Sequence, residues 1–162
     1  MGGRPAWDAY FLGIAKAVAA RGDCTRRQVG ALITDTDHRI ISTGYNGTLP
    51  GRKGCLEGAC PRGQHYEAHD RAGDDEPGNC FTCRTEWPCG KAVAPGSSYD
   101  TGPGACIALH AEQNALLYAF RSVEGMTMYI TEDPCDGCVK LMRGAHLRET
   151  RTPVSVLTWD LP

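Results

Sequence analysis

Between residues 7 and 20 the apolar positions Trp7, Tyr10, Phe11, Ile14, Ala17 and Val18 recur at three- and four-residue intervals. That spacing lines one face of a helix, so an amphipathic first helix is expected, ending at Gly22 and Asp23. Two β-rich runs follow, QVGALIT (28–34) and RIISTGY (39–45), with the polar DTDH between them. An antiparallel hairpin is the economical reading. From 50 to 103 the periodicity vanishes into a Gly-, Pro- and Cys-rich stretch with an acidic GDDEPGN patch. A structureless segment of that length is uncommon inside a compact domain, so something other than an apolar core must tie it down. Order then returns as a helix at 108–120, a strand at 126–131 (MTMYIT), a helix at 135–143 and a last strand at 154–158 (VSVLT). Strand–helix–strand alternation implies parallel neighbours joined by a right-handed crossover. The expected fold is a three-layer α/β/α sandwich with a mixed sheet. It forms a single domain over 1–162, with a Cys-rich, metal-clamped insertion at about 50–104.

Composition narrows the function. The formal net charge is −2, with acids and bases interspersed, which argues against a duplex-DNA binder. No apolar run approaches the ~20 residues of a membrane span. The start, MGGRPAWDAYF, lacks the long apolar core of a signal peptide. A cytoplasmic protein is expected. In that reducing compartment, nine cysteines point to metal before disulfides. The C-x2-C pairs Cys80/Cys83 and Cys135/Cys138 strengthen that reading.

The chemistry gathers at two short stretches. TEDPCDGC puts Pro134 ahead of Cys135 and Cys138 at a strand-to-helix step. Cysteines three apart share a helical face, and a helix N-terminus favours the thiolate that binds metal. Taken alone, the pair also suits redox chemistry or two buried small residues. His110, at the mouth of the preceding helix in ACIALHAEQNALLYAF, changes that balance. Helix starts at the carboxyl ends of parallel strands converge on one crevice. There His110, Cys135 and Cys138 would give zinc three ligands, the number left by a catalytic site with one open position. Glu112, two residues on, is badly placed to share the metal with His110 but can rim the same pocket. Zinc brings the pKa of a bound water near ~7. A carboxylate beside it is the proton carrier that hydrolytic deamination needs. The spacing matches the H-x-E…P-C-x-x-C signature of zinc deaminases.

On HAEQNAL and TEDPCDGC the chain resembles the cytidine deaminase superfamily. CTRRQVGALI (24–33), GYNG (44–47) and Asn114 resemble its deoxycytidylate (dCMP) deaminase branch, with only 50–104 unmatched. The resemblance implies a sheet in strand order 2-1-3-4 with helices on both faces. It implies hydrolysis of dCMP to dUMP and ammonia, and a small-molecule nucleotide as partner. It also implies a homo-oligomer, often a hexamer in the family, regulated by dCTP and dTTP. Only four residues follow the last expected strand, short of the further strand and helix of longer members. Asn46 would contact nucleotide, or else be a turn asparagine in left-handed geometry before Gly47. Arg26, beside Arg27, and Arg121 would meet a monophosphate, Arg121 at the active site or a subunit contact; solvated surface arginines are the alternative.

The remaining cysteines exceed what one catalytic site needs. Viral dCMP deaminases carry a structural zinc between the regions of Cys24 and Cys106, which implies a tetrad of Cys24, Cys55, Cys60 and Cys106. The C-x2-C-x5-C run of Cys80, Cys83 and Cys89 could bind a further ion with His65 or His69. Two rivals stand beside the dCMP reading. One is a deaminase of guanine, cytosine, tRNA adenosine or a modified nucleotide, which shares the zinc chemistry. The other is a zinc-scaffold binding module, which has no use for Glu112 beside His110 and predicts closed four-ligand sites.

Overall fold

The computed structural model describes residues 3–64, 67–68, 78–80, 82–86, 89–90, 101 and 105–160. By its contacts the chain divides into two compact units. One comprises Met1–Gly47 with Leu109–Pro162, the other Thr48–Ala108. The second covers the segment read as an insertion.

The first unit is built on a five-stranded sheet. Helix α1 (Trp7–Ala19) precedes β1 (Gly30–Thr34) and β2 (Ile40–Tyr45), which form the expected hairpin. Asp35 closes its turn, its carboxylate accepting the N–H groups of Asp37 and Arg39. The second unit adds a 3-10 turn (Cys55–Glu57), α2 (Pro61–Gln64), and a two-stranded ribbon of β3 (Glu67–Ala68) and β4 (Asn79–Cys80). Back in the first unit come α3 (Ala111–Leu117), β5 (Thr127–Ile130), α4 (Asp136–Gly144), β6 (Glu149–Arg151) and β7 (Val156–Thr158). The main sheet runs β2-β1-β5-β6-β7, with β5 and β6 parallel and every other pair antiparallel.

The sheet is mixed, as expected, but two expectations are corrected. The parallel partner of β5 is Glu149–Arg151, which the periodicity did not reveal. The run read as the fourth strand is the fifth, antiparallel at the edge. The order is therefore 2-1-3-4-5 among the main-sheet strands, not 2-1-3-4.

Strand alternation sorts the core into two layers. Ala31, Ile33, Met128 and Ile130 face α3 and α4, where they pack with Ala111, Ala115, Cys138 and Met142. Leu32 and Tyr129 point the other way and pack with Phe11 and Ala15 of α1. Side chains on successive strand residues alternate faces, which explains why β1 and β5 are buried throughout. Two glycines let the helices sit directly on the sheet. A Cβ on Gly30 would lie 2.1 Å from the Ala15 carbonyl oxygen, and one on Gly44 would lie 2.2 Å from that of Ala111. Among the described residues no helix is long and apolar enough to cross a membrane.

Candidate active site

Two helix starts supply the site. His110 is the N-cap of α3 with φ −71° and ψ 157°; Cys135 is the N-cap of α4 with φ −72° and ψ 164°. In both, an extended residue turns into a helix at the position whose side chain sits at the mouth. The first cap is fixed from two directions. Gln113 Oε1 accepts the His110 N–H at 2.8 Å, and Leu109 just before it exchanges two backbone hydrogen bonds with Gly47 at 2.9 and 3.1 Å. The second cap follows a loop held by Asp133, whose carboxylate accepts the hydroxyls of Ser155 and Thr152 at 2.7 and 2.8 Å. These bonds, Ser155 first, hold the Asp133 carboxyl below its ordinary range. Pro134 lies just before the cap, ahead of Cys135 as the sequence has it.

The two caps bring three donors together. His110 Nδ1 lies 3.3 Å from Cys138 Sγ and 3.6 Å from Cys135 Sγ, and all three ligating atoms fall within 4.8 Å of one another. Tetrahedral zinc with ~2.3 Å bonds to sulfur and ~2.0 Å bonds to nitrogen puts those atoms about 3.6 Å apart. The donor set fits zinc in both chemistry and size. Cys138 is fully buried. Burial pushes its thiol well above the ordinary range, and the charges of Glu112 and Cys135 push it further. A divalent cation offsets that cost, since a coordinated thiol ionises outright. Glu112, on the first turn of α3, is only 4% exposed and close enough to Cys138 to act on its thiol. A buried carboxylate thus borders a centre of three donors, one short of zinc's usual four, an arrangement able to move protons on a water or substrate there.

The other candidates make bonds of their own. Asn46 spends its amide on the backbone, Oδ1 accepting the Val29 N–H at 2.8 Å and Nδ2 donating to the Arg27 carbonyl at 2.7 Å. It is absent from the positive-φ residues, so the left-handed turn reading is corrected too. Asn114 does similar work, donating to the Tyr45 carbonyl at 2.7 Å. The exposed Arg26 donates its backbone N–H to Cys24 Sγ at 3.4 Å, while Arg27 reaches Glu132 at 3.3 Å. Arg121 ion-pairs with Asp35 at 2.7 Å in the hairpin turn. The site lies at the Gly30–Tyr45 end of that hairpin and the turn at the Thr34–Ile40 end, roughly 15 Å of strand away. Within its own chain Arg121 therefore does not reach the cluster.

Among the described residues, the other group of three potential ligands is Cys80, Cys83 and Cys89. Cys24 belongs to the first unit and Cys55, Cys60 and Cys106 to the second, and none of the four is in either group. His65 and His69 lie outside the described residues. The sequence reading missed the residues that place the ligands: Gln113 at the first cap, Asp133 with Thr152 and Ser155 before the second, and Gly44 under α3. An amide three residues after a cap was the one legible signal among them.

Comparison with known proteins agrees with this geometry. A family model described as "Cytidine and deoxycytidylate deaminase zinc-binding region" matches residues 5–152. The deoxycytidylate deaminase of Mycobacterium phage D29 is 38% identical over 93% of this chain and 96% of its own length. That of Enterobacteria phage T4 is 32% identical over 85% of this chain and 72% of its own. The Schizosaccharomyces pombe enzyme is 36% identical over 83% of this chain, which spans only 33% of that longer protein. In fold, the chain is similar to the cyanophage S-TIM5 dCMP deaminase solved with dCMP and dUMP. The TM-score is 0.57 at 21% identity, covering 93% of this chain and 83% of that one. From a zinc-binding-region match along nearly its whole length and a relative 38% identical from end to end, the chain belongs to the cytidine and deoxycytidylate deaminase family.

Proposed function

We propose that the chain is a zinc-dependent hydrolase that converts dCMP and water to dUMP and ammonia, with His110, Cys135 and Cys138 holding the zinc and Glu112 carrying the protons. One observation carries the assignment of roles: a 4% exposed carboxylate, Glu112, lies against Cys138 beside the three-donor cluster. The names of the phage relatives support dCMP as substrate over other bases. When bound, zinc supplies Lewis acidity and lowers the pKa of water toward ~7. Glu112 takes a proton from the water attacking C4 of the cytosine ring and gives it to ring N3. It then takes the second proton from the hydroxyl left on C4, which becomes the carbonyl, and delivers it to the departing amino nitrogen, so one buried carboxylate serves as base and acid in turn. Low exposure keeps each carried proton from exchanging with bulk water during its transfer.

Glu112→Gln keeps size and hydrogen bonding but cannot shuttle protons. It is expected to retain zinc and melting temperature while kcat on dCMP falls at least ~10²–10⁴-fold. Near-normal turnover would sink the assignment. A panel of dCMP, deoxycytidine, cytosine, guanine and a tRNA stem tests the substrate, and equal kcat/KM for deoxycytidine and dCMP would remove phosphate recognition. Arg26 and its neighbour Arg27, both exposed ahead of β1, are the cations assigned to that phosphate. The reading extends to structural zinc beyond the catalytic ion, and to a cytoplasmic homo-oligomer. Exposed Leu117, Tyr118 and Phe120 at the C-terminal end of α3 support an assembly face, with Arg121 at its border; a monomer by light scattering would refute it.

A further inference from the structure

The second unit gathers three more sulfurs. The Sγ atoms of Cys80, Cys83 and Cys89 lie within 4.8 Å of one another. Two such sulfurs could close a disulfide, but a third at the same spacing has no place in that bond. Around a single zinc ion, tetrahedral thiolates sit about 3.8 Å apart, so the trio fits one coordination shell.

The backbone is shaped around that point. Cys80, the last residue of β4, donates its N–H to the Thr85 carbonyl at 2.7 Å, and its own carbonyl accepts the Arg84 N–H at 2.9 Å. Asn79 bridges Glu86 beyond this turn. Arg84 holds φ at +59°, a left-handed conformation that long side chains seldom adopt. The resulting tight reversal keeps Cys83 beside Cys80, and the Thr85 hydroxyl lies 3.0 Å from Cys83 Sγ.

Burial gives an independent reason for a cross-link. Among the described residues of Thr48–Ala108, the buried apolar side chains are Cys55, Cys80 and Cys89. The larger aliphatics Leu49, Leu56 and Ile107 are exposed. Among its described residues no larger aliphatic side chain is buried, and burial of small cysteines offsets little ordering entropy. Metal coordination is the usual replacement, because binding free energy then becomes folding free energy.

We propose that Cys80, Cys83 and Cys89 form a structural zinc site, separate from the His110, Cys135 and Cys138 centre, that holds the second unit together. A donor outside the trio takes the fourth position. The site plays no part in the chemical step.

The test is zinc per chain in intact protein, measured after challenge with a moderate chelator under mild reductant. Cys83 is exposed, so Cys83→Ser opens no cavity. A triple Cys80→Ser, Cys83→Ser, Cys89→Ser variant guards against partial retention, and His110→Ala runs in parallel. Cys83→Ser and the triple variant are expected to lose one zinc equivalent relative to the parent, and the 48–108 segment to become sensitive to trypsin. His110→Ala should lose a different equivalent and leave that segment protected. Unchanged zinc in both cysteine variants would overturn the site, as would a disulfide among these cysteines in the parent by thiol titration. Zinc retained by His110→Ala would instead count against the catalytic centre and leave this result standing.

Discussion

Gly44→Ala probes the link between packing and chemistry more directly than changing a ligand. The added methyl carbon would lie 2.2 Å from the Ala111 carbonyl oxygen and 2.4 Å from the Ala115 nitrogen, both backbone atoms of α3. Ordinary contact begins at 3.4 Å, so strand and helix must separate by about 1 Å. Ala111 directly follows His110 and precedes Glu112, so a shift of α3 carries a zinc ligand and the proton carrier together. Overpacking of this kind costs about 1–3 kcal/mol, or roughly 3 °C of melting temperature per kcal/mol in a chain of this size. A 1 Å misplacement of catalytic groups costs about 10² in rate.

The control is Gly30→Ala. Its methyl would meet the Ala15 carbonyl oxygen at 2.1 Å and the Ala19 nitrogen at 2.5 Å, on α1 across the sheet. That helix carries none of the three donors or Glu112. Scanning fluorimetry should therefore show similar losses for the two variants. Steady-state kinetics on dCMP should show the ~10²-fold fall in kcat only for Gly44→Ala. Equal kcat in both variants, or a normal kcat in Gly44→Ala despite lost stability, would refute the claim that this contact sets the geometry of the site.

Two further outcomes follow from particular contacts. Asn46→Ala leaves the Val29 N–H and the Arg27 carbonyl without their partners; it should lower stability by about 1–3 kcal/mol in denaturant titration, and an unchanged midpoint would return Asn46 to a purely nucleotide-facing role. Glu149 is buried; desolvation raises its carboxyl, but hydrogen bonds from Arg151, Thr127 and Arg148 outweigh it and leave the group below its ordinary range. Its stabilisation is then complete above the unfolded carboxyl's pKa of about 4.3 and is lost as pH falls through the lower folded value. Glu149→Gln should flatten that acid limb of stability, and a limb of unchanged slope would count against the pairing.

The same residues show what the sequence could and could not reveal. Helical periods made α1, α3 and α4 legible, because each buries one face, while β1, β2 and β5 were legible as short β-rich runs bounded by turns. β6 escaped, since Glu-Thr-Arg has no apolar alternation. It exists through partners far along the chain, with Arg151 bonded to Asp8 at 2.6 Å and Glu149 to Thr127 at 2.9 Å. α3 is shorter than the apolar run suggests, because Leu109 is committed to its bridge with Gly47 and His110 to its cap. The donor trio was legible because zinc restricts both residue type and spacing. Arg121 was not, since its partner Asp35 is 86 residues away and nothing local announces that pair.

The placement of both donor sets at helix N-caps has a physical consequence. A helix N-terminus favours thiolate or carboxylate by only about 0.3–1 kcal/mol, whereas an uncompensated buried charge costs several kcal/mol. The ends of α3 and α4 therefore cannot by themselves hold the fully buried Cys138 as a thiolate. The cation supplies the rest. What the fold contributes in advance is position: two caps with nearly the same φ and ψ, each preceded by a bond made outside its helix, Leu109 to Gly47 and Thr152 to Asp133. Because those anchors do not involve the donor atoms, the geometry persists when a ligand is changed. Loss of zinc in His110→Ala should accordingly leave the fold of the first unit intact.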